Sequence, residues 1–362
     1  MTTTIQQTPS TDEFAERIFG SVLGALESWS VFIGDKFGLY EALAAEGPMS
    51  RSELAARTGI HRRYADEWLE HQVTLGILVV DDPTLAQDER SYSIPEAQAE
   101  VLTDKDSLAY LAPFVRLVVA GGIQLPKLLD AYRNGSGVSW SDFGADMRTG
   151  QAEMNRPWFM KELGASWFPS VDWLHDLLES GARVADVGCG EGWSSIGMAL
   201  SYPEVVVDGY DIDEPSMVAA RQHAARAGVS DRVSFHHGDA ADAGEPGKYD
   251  LVTVFEAIHD MPDPVSVLRS MHRMSGDSGR VVVMDEAVAD HFGERNDDVE
   301  RLMYGFSMFV CLPDGMSHEH SVGTGTVMRP STLERYAREA GFSGIEVLPI
   351  ENDLWRFYEL VK

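Results

Sequence analysis

The second half of the chain alternates short apolar stretches with longer segments whose apolar residues recur at helical spacing. Glycine, proline or acidic residues bound each apolar stretch, as is typical of buried strands. Because helical segments separate the strands, we expect most of them to run parallel in one sheet that is covered on both faces. The predicted strands are residues 184–187, 204–213, 232–237, 249–255, 280–285, 345–348 and 354–361.

The first part of the chain has a different pattern, in which helices predominate. Apolar residues recur at helical spacing over residues 14–43, and Ser50-x-x-Glu53 forms a capping box that opens a short helix. A second short helix is expected over residues 62–75, and a small hairpin over residues 77–94. Two helices, a tight turn and a hairpin predict a winged helix.

A winged helix can bind DNA, and its second predicted helix begins with Arg62 and Arg63. The same helix also carries three carboxylates and a wide apolar face. Carboxylates oppose the phosphate contacts that supply most of the affinity for nucleic acids. We therefore expect a structural or dimerisation role for this domain rather than DNA binding. The three carboxylates are Asp66, Glu67 and Glu70.

These patterns predict four parts of the chain. Residues 1–12 lack the basic and apolar regions of a signal peptide and are expected to form a flexible tail. Residues 13–105 would form the winged-helix domain, residues 106–180 a helical connector that also lines a substrate pocket, and residues 181–362 the α/β domain. The most apolar window, residues 108–129, contains prolines, glycines and an arginine, so a buried helix pair is expected there rather than a membrane span.

Amino-acid composition and net charge indicate which classes of partner the chain is able to bind. The chain has 362 residues and a formal net charge of −29, so its electrostatic field repels phosphate backbones and anionic lipid surfaces. Binding to nucleic acid or to membranes is therefore not expected. The chain contains only two cysteines, Cys189 and Cys311, which argues against a disulfide framework and fits a reducing cytoplasm.

The first strand of the α/β domain leads into a loop with glycine at every second position. The sequence there is Asp186-x-Gly188-x-Gly190-x-Gly192, and a helical segment follows at once. Glycines let the backbone approach a ligand closely, and the start of a helix offers unpaired N–H groups. We therefore expect the loop to hold a cofactor, although its G-x-G-x-G spacing differs from the G-x-G-x-x-G of dinucleotide-binding loops.

This loop resembles the first motif of the class I methyltransferases, which bind S-adenosylmethionine (SAM). The resemblance covers residues 181–362 and implies a Rossmann-like α/β fold with a seven-stranded sheet, mostly parallel with the last strand antiparallel. The mainly α N-terminal part resembles the winged-helix domain of two-domain small-molecule O-methyltransferases. In that family the domain builds a homodimer and closes the substrate pocket, so the resemblance implies a homodimer here too.

The resemblance also implies which residues contact SAM. The glycine loop would hold the methionyl end, and Asp211 would accept both ribose hydroxyls, because a carboxylate offers two oxygens to a vicinal diol. Asp213 is the alternative ribose ligand, but its sequence context also suits a helix cap. Asp239 would accept from the adenine amine. The full set is Asp186, Gly188, Gly190, Gly192, Asp211, Ile212, Gly238, Asp239, Ala240 and Phe255.

Methyl transfer to a hydroxyl group needs an in-line approach and a group that removes the proton, a role that suits histidine. His259-Asp-Met-Pro-Asp resembles the His-Asp-Trp-x-Asp element of small-molecule O-methyltransferases, in which the histidine is the general base. Asp285 lies where that family has an acid that orients the base, and Asp260 is a second candidate for this role. Alternatively, His259 could only satisfy local backbone groups. Met261 and Phe255 replace a Trp and a frequent Lys of the family, which leaves the acceptor open.

The expected function is SAM-dependent methylation of a small-molecule acceptor, most directly O-methylation of a phenolic or polyketide-like metabolite, with no metal assigned. Two alternatives remain. His318 and His320 could join His259 and Asp260 as ligands of iron or zinc, and some related enzymes C-methylate α-keto acids at such a metal. A regulator that senses SAM or another ligand and binds DNA through the winged helix is the second alternative.

Overall fold

The structure is a computed structural model that describes residues 9–293 and 298–362. The chain divides into two compact units, Met1–Val119 and Ala120–Lys362. This division does not decide the boundaries that the sequence predicts after residues 12, 105 and 180, which remain predictions. Residues 1–8 of the predicted tail lie outside the described residues.

The first unit contains α1 (Thr11–Lys36), α2 (Leu39–Glu46), α3 (Arg51–Thr58), α4 (Arg62–Thr74), β1 (Val79–Val80), β2 (Tyr92–Ser93) and α5 (Glu96–Thr103), and α6 (Ala112–Ile123) crosses the division. The helices that follow are α7 (Leu125–Asn134), α8 (Trp140–Glu162), α9 (Asp172–Glu179), α10 (Trp193–Ser201), α11 (Glu214–Ala227), α12 (Pro264–Ser275), α13 (Asp298–Phe306), α14 (Leu312–Gly315) and α15 (Pro330–Ala340). The strands of the second unit are β3 (Arg183–Val187), β4 (Val206–Asp211), β5 (Val233–His237), β6 (Leu251–Phe255), β7 (Arg280–Glu286), β8 (Gly344–Val347) and β9 (Trp355–Val361).

The first unit has the predicted winged-helix elements, with α3, α4 and an antiparallel β1–β2 hairpin. A buried polar contact supports its core, because the hydroxyl of Tyr40 donates to Gln72 Oε1 at 2.6 Å. Helix α1 begins two residues inside the predicted tail. The reason is a capping box in which Ser10 and Glu13 satisfy each other's backbone N–H groups.

Acidic side chains pair with the two arginines at the start of α4. Arg62 pairs with Asp88, and Arg63 pairs with Glu67. A cation that already faces a carboxylate offers less attraction to a phosphate group. These pairs therefore favour the structural interpretation of α4 over DNA binding.

The apolar window of residues 108–129 forms α6 and the first half of α7. Among residues 9–293 and 298–362, no single helix is long and apolar enough to cross a membrane, and α6 and α7 reach that length and composition only together, with a bend of 57° between them. The predicted helix pair is thus present, but α7 is not buried as expected. Only Leu128 and Ala131 of α7 are buried, because its apolar residues occupy one side of the helix.

The second unit is built on the predicted seven-stranded sheet, which confirms the expected fold class. The strand order is β5-β4-β3-β6-β7-β9-β8, with β3 to β7 parallel and β9 antiparallel to both of its neighbours. Two buried clusters cover the two faces, and consecutive residues of β3 such as Val184 and Ala185 face opposite clusters. The carboxyl ends of the five parallel strands therefore meet at one edge.

Gly34, in α1, lies against Tyr40 and Trp68. A Cβ atom there would overlap the Tyr40 ring and lie 2.7 Å from Trp68 Cζ2. We expect Gly34→Ala to lower the free energy of unfolding of the first unit by about 1–3 kcal/mol, because neither ring can retreat from a packed core. Urea denaturation followed by tryptophan fluorescence measures the change.

Gly20→Ala is the matched control, because Gly20 lies in the same helix with nothing within 4 Å of its Cβ position. This change should raise stability by up to about 1 kcal/mol through helix propensity alone. Equal effects at the two positions would contradict the packing described for Gly34.

Candidate active site

Hydrogen bonds around Asp211 join three of the segments that the sequence assigns to the cofactor. Asp211 Oδ2 accepts from the backbone N–H of Gly190 at 2.8 Å, and the backbone oxygen of Asp211 accepts from Gly238 at 2.9 Å. The backbone oxygen of Tyr210 accepts from Gly188 at 2.8 Å. The glycine loop, the end of β4 and the loop after β5 thus form one corner of the carboxyl edge.

The Asp211 carboxyl group is already hydrogen-bonded to the protein. Besides Gly190, it accepts at Oδ1 from the N–H of Asp213 at 2.8 Å. Burial raises the pKa of Asp211, and these backbone donors oppose the rise. Contact between Asp211 and the ribose stays a prediction.

Asp213, the alternative ribose ligand, caps α11. Its Oδ2 accepts from the N–H of Ser216 at 3.0 Å and from Arg148 Nε at 2.8 Å. Its carboxylate is therefore engaged in the structural role that its sequence context also predicted. Ile212, between the two acids, has an exposed side chain.

Asp186 lies beneath the glycine loop with no exposed surface. Its Oδ2 accepts from the hydroxyls of Ser194 and Ser195 at 2.6 Å each, and its Oδ1 accepts from Thr253 at 3.1 Å. Burial raises the pKa of Asp186 to about 6, against the effect of these three donors. The structure therefore gives Asp186 an anchoring role, and direct contact with the cofactor stays a prediction.

The segment after β6 packs directly on the glycine loop. Gly188 has a φ of 66°, and a Cβ atom there would lie 2.7 Å from Ala257 Cβ and 3.6 Å from Met261 Cε. Only glycine fits both the backbone angle and this space. His259 lies between the two contacting residues, so the predicted base stands next to the predicted cofactor loop.

The other predicted cofactor residues differ in their surroundings. Asp239 is exposed and accepts from the N–H of Ala241 at 2.8 Å, while Ala240 is buried. Phe255 is buried in the aromatic core, with its ring centroid 5.3 Å from that of Phe159. Gly192 ends the loop as the N-cap of α10. Contacts of these residues with SAM stay predictions.

His259 and Asp285 form a buried hydrogen-bonded pair. His259 Nδ1 lies 2.9 Å from Asp285 Oδ1, and the side chains are only 3% and 1% exposed. On the other side of the ring, Nε2 lies 3.3 Å from Asp260 Oδ1. Burial alone would lower the pKa of His259, but Asp285 and Asp260 outweigh it and raise this pKa well above its ordinary value.

Two glutamates that the sequence interpretation missed lie near this pair. Glu256 is one of two non-glycine residues with positive φ among residues 9–293 and 298–362, and its carboxylate accepts from Asn155 and from Trp355 Nε1. Burial raises the pKa of Glu256 to about 7. Glu286 is buried, and its Oε2 has no hydrogen-bond partner among the described residues. A charged residue directly after an apolar strand was the available signal for both.

The structure changes the set of potential metal ligands. Cys311, rather than His318 or His320, meets His259 and Asp260, and the three donor atoms lie within 4.8 Å of one another. His318 and His320 are exposed. An iron or zinc site that includes His318 and His320 stays an untested alternative, whereas Cys311 is placed beside His259 by the helical segment that follows α13.

Family comparisons agree with this architecture. Residues 178–321 match the model of a methyltransferase domain, and residues 25–104 match that of an Rv2258c-like winged HTH domain. The 27-O-demethylrifamycin SV methyltransferase of Amycolatopsis mediterranei is 31% identical over 197 residues, which cover 50% of this chain and 72% of that protein.

Solved structures share the fold over nearly the whole chain. The mitomycin 7-O-methyltransferase MmcR superposes with a TM-score of 0.71 at 19% identity, covering 96% of this chain and 98% of that one. Human N-acetylserotonin methyltransferase, solved in complex with SAM, superposes with a TM-score of 0.68 at 19% identity, covering 100% and 99%. The chain therefore belongs to the class I SAM-dependent methyltransferases and carries a winged-helix domain ahead of its methyltransferase domain.

Proposed function

We propose that this enzyme transfers the methyl group of SAM to a hydroxyl group of a phenolic or polyketide-like metabolite, with His259 as general base. The buried His259–Asp285 pair next to the glycine loop is the observation that carries this proposal. The rifamycin and mitomycin enzymes above are both named for methyl transfer to oxygen, which supports the same reaction and a role in secondary metabolism.

The residues of the pair have separate tasks in this proposal. Asp285 accepts a hydrogen bond from the Nδ1–H of His259 and keeps the ring in the orientation and tautomer in which the unprotonated Nε2 can take the proton of the acceptor hydroxyl. The acids on both sides of the ring stabilise the imidazolium that forms when His259 takes the proton. Asp260, 3.3 Å from Nε2, would give way to the hydroxyl as the neighbour of that nitrogen.

SAM supplies an electrophilic methyl group when it is bound, and the corner around Asp211 has features that suit its parts. In our proposal the glycine loop lies along the methionyl end, Asp211 accepts from the ribose, and Asp239 from the adenine amine. The exposed side chain of Ile212 would pack on the adenine. Asp186 would act from below, by holding the start of α10 against β3 and β6.

The two alternative functions have less support. Metal-assisted C-methylation of an α-keto acid would use the imidazoles of His318 and His320, which are exposed, and without a metal the acceptor would bring a carboxylate towards the buried acids Asp285 and Glu286. A DNA-binding regulator would need cations, whereas Arg62 and Arg63 already pair with acids and the chain carries a net charge of −29.

We further propose a cytoplasmic homodimer formed through α1. Apolar side chains recur along one side of this helix every three or four residues and are 45% or more exposed, a pattern that marks a protein interface. Both cysteines are free, which fits a reducing compartment. The apolar side chains of this side of α1 are Phe14, Ile18, Val22, Leu26, Trp29 and Ile33, and Phe19 and Leu23 are exposed beside them.

Replacing the base tests the chemistry. We expect His259→Ala to slow methyl transfer by about 100- to 10,000-fold, the usual contribution of a general base, while the affinity for SAM stays nearly unchanged. Transfer from labelled SAM to a panel of phenols, followed by mass spectrometry, measures the rate. His318→Ala removes an exposed histidine and should have no effect. Turnover at the normal rate without His259 would exclude it as the base.

Replacing each acid of the β4 edge tests the cofactor site. Asp211→Ala should weaken SAM binding about 10- to 100-fold, because it removes charge-assisted hydrogen bonds and releases the N–H of Gly190. Asp213→Ala should cost about 1 kcal/mol of stability through the lost cap, with a much smaller effect on SAM. Isothermal calorimetry with SAM compares them, and the reverse order would assign the ribose to Asp213.

A charge on the apolar side of α1 tests the dimer. Val22→Asp should convert the dimer to a monomer, because a carboxylate would lose its water of hydration in the interface. Sedimentation velocity gives the mass of the particle. Gly20→Asp places the same charge at an exposed position on the opposite side of α1, with nothing within 4 Å of its Cβ position, and should leave the dimer intact. A monomeric wild-type protein would end this proposal.

A further inference from the structure

A nitrogen, an oxygen and a sulfur donor meet at the side of His259 that faces away from Asp285. The donors belong to His259, Asp260 and Cys311, and one ligand atom from each lies within 4.8 Å of the other two. His259 and Asp260 follow β6, whereas Cys311 ends the π-helical turn Ser307–Cys311. Three residues from two distant segments of the chain thus converge on one point.

The orientation of His259 suits metal binding. A histidine that binds a metal with one ring nitrogen usually donates the other N–H to a carboxylate, which fixes the ring and its tautomer. His259 Nδ1 lies 2.9 Å from Asp285 Oδ1, which suits such a bond, and Nε2 faces Asp260 at 3.3 Å, where it binds a metal once it carries no proton. Asp285 is 1% exposed, and its second oxygen, Oδ2, has no hydrogen-bond partner among the described residues.

The charge around this point also favours a cation. Asp260 Oδ1 is buried and accepts no hydrogen bond from the described residues, although it lies 3.3 Å from His259 Nε2. A further acid, Glu286, is buried nearby, and its Oε2 has no hydrogen-bond partner among the described residues. Burying several carboxylates around a single imidazole has a high desolvation cost, and a bound cation offsets that cost.

We infer that His259 Nε2, the Asp260 carboxylate and Cys311 Sγ form a binding site for a divalent transition-metal ion of the zinc type. The mixed nitrogen, oxygen and sulfur donors suit Zn²⁺ or Co²⁺ and do not suit Mg²⁺ or Ca²⁺, which prefer oxygen ligands. Binding displaces the Cys311 thiol proton to solvent and leaves one tetrahedral position for water.

The ion and the acceptor proton compete for the same lone pair. A zinc ion bound to Nε2 prevents His259 from taking the acceptor proton. Zinc binding at this site therefore inhibits the enzyme. Metal binding itself does not depend on the proposed function, and it is measured without SAM or any acceptor. Inhibition, by contrast, rests on the proposed role of His259.

Metal titration of the full chain tests the site. After treatment with a chelator, the wild-type protein should bind one Zn²⁺ per chain with a dissociation constant of about a micromolar or below, and should not bind Mg²⁺ at the same concentration. Isothermal calorimetry and elemental analysis after dialysis give affinity and stoichiometry. Co²⁺ in place of Zn²⁺ should show a sulfur-to-cobalt charge-transfer band.

Matched variants separate the three donors from other candidates. Cys311→Ala should abolish the charge-transfer band and weaken Zn²⁺ binding at least about tenfold, and Asp260→Asn should weaken it independently. Cys189→Ala removes the only other cysteine and should change neither. His318→Ala and His320→Ala, at exposed histidines of the neighbouring loop, should bind zinc like the wild type. Circular dichroism confirms that each variant is folded.

The outcomes are distinct. Absence of stoichiometric zinc in the wild type, full zinc affinity in folded Cys311→Ala, or loss of affinity in His318→Ala would each overturn the assignment. Once an acceptor is known, Zn²⁺ should inhibit the wild type in competition with that acceptor, and Cys311→Ala should need at least about tenfold more zinc. Stoichiometric zinc without inhibition would keep the metal site and reject His259 as the base.

Discussion

The hydrogen bonds of Asp186 hold the cofactor side of the second unit together. This fully buried carboxyl group joins β3 to the start of α10 through Ser194 and Ser195, and to β6 through Thr253. A buried carboxyl group is costly without partners, so its three donors tie the three elements to one relative position. The glycine loop runs between two of these elements, and its course depends on them.

The same edge of the sheet concentrates acidic groups where water is scarce. Asp211 organises the corner of the glycine loop, and Asp285 orients His259 a short distance away. Glu286 is buried with an oxygen that has no hydrogen-bond partner among the described residues. In the proposed reaction a proton leaves the acceptor beside a cationic methyl donor, and negative potential at this place would favour that step. The cost in stability is offset by the large apolar clusters on both faces of the sheet.

The periodicity of the chain sufficed to predict most of the architecture. The apolar runs predicted all seven strands of the large sheet, most directly the inner ones, because a strand buried on both faces has to be apolar along its length, whereas the edge strands β5 and β8 are partly exposed. Local chemistry set several helix ends, such as the capping box of Ser50 and Glu53. The start of α1 at Thr11 was not predicted, although Ser10 and Glu13 form the same motif.

Only part of the candidate active site could be predicted from the sequence. The glycine loop was accessible from the sequence pattern, and His259 and Asp285 from their resemblance to family motifs; because the ends of parallel strands share one edge, these motifs could be expected to lie close together. The contact of Cys311 with His259 was not accessible, since an irregular π-helical turn places it. Nor was the anchoring bond between Asn155 and Glu256, which joins α8 to the end of β6.

The sequence by itself thus determined the strands, their parallel arrangement and the edge that carries the chemistry, because these follow from the spacing of apolar residues along the chain. Only the tertiary structure decided which donors of distant segments meet at that edge and which acids remain without partners. Such contacts depend on how helices pack and bend over the sheet. This packing does not produce a periodic pattern of apolar residues in the sequence.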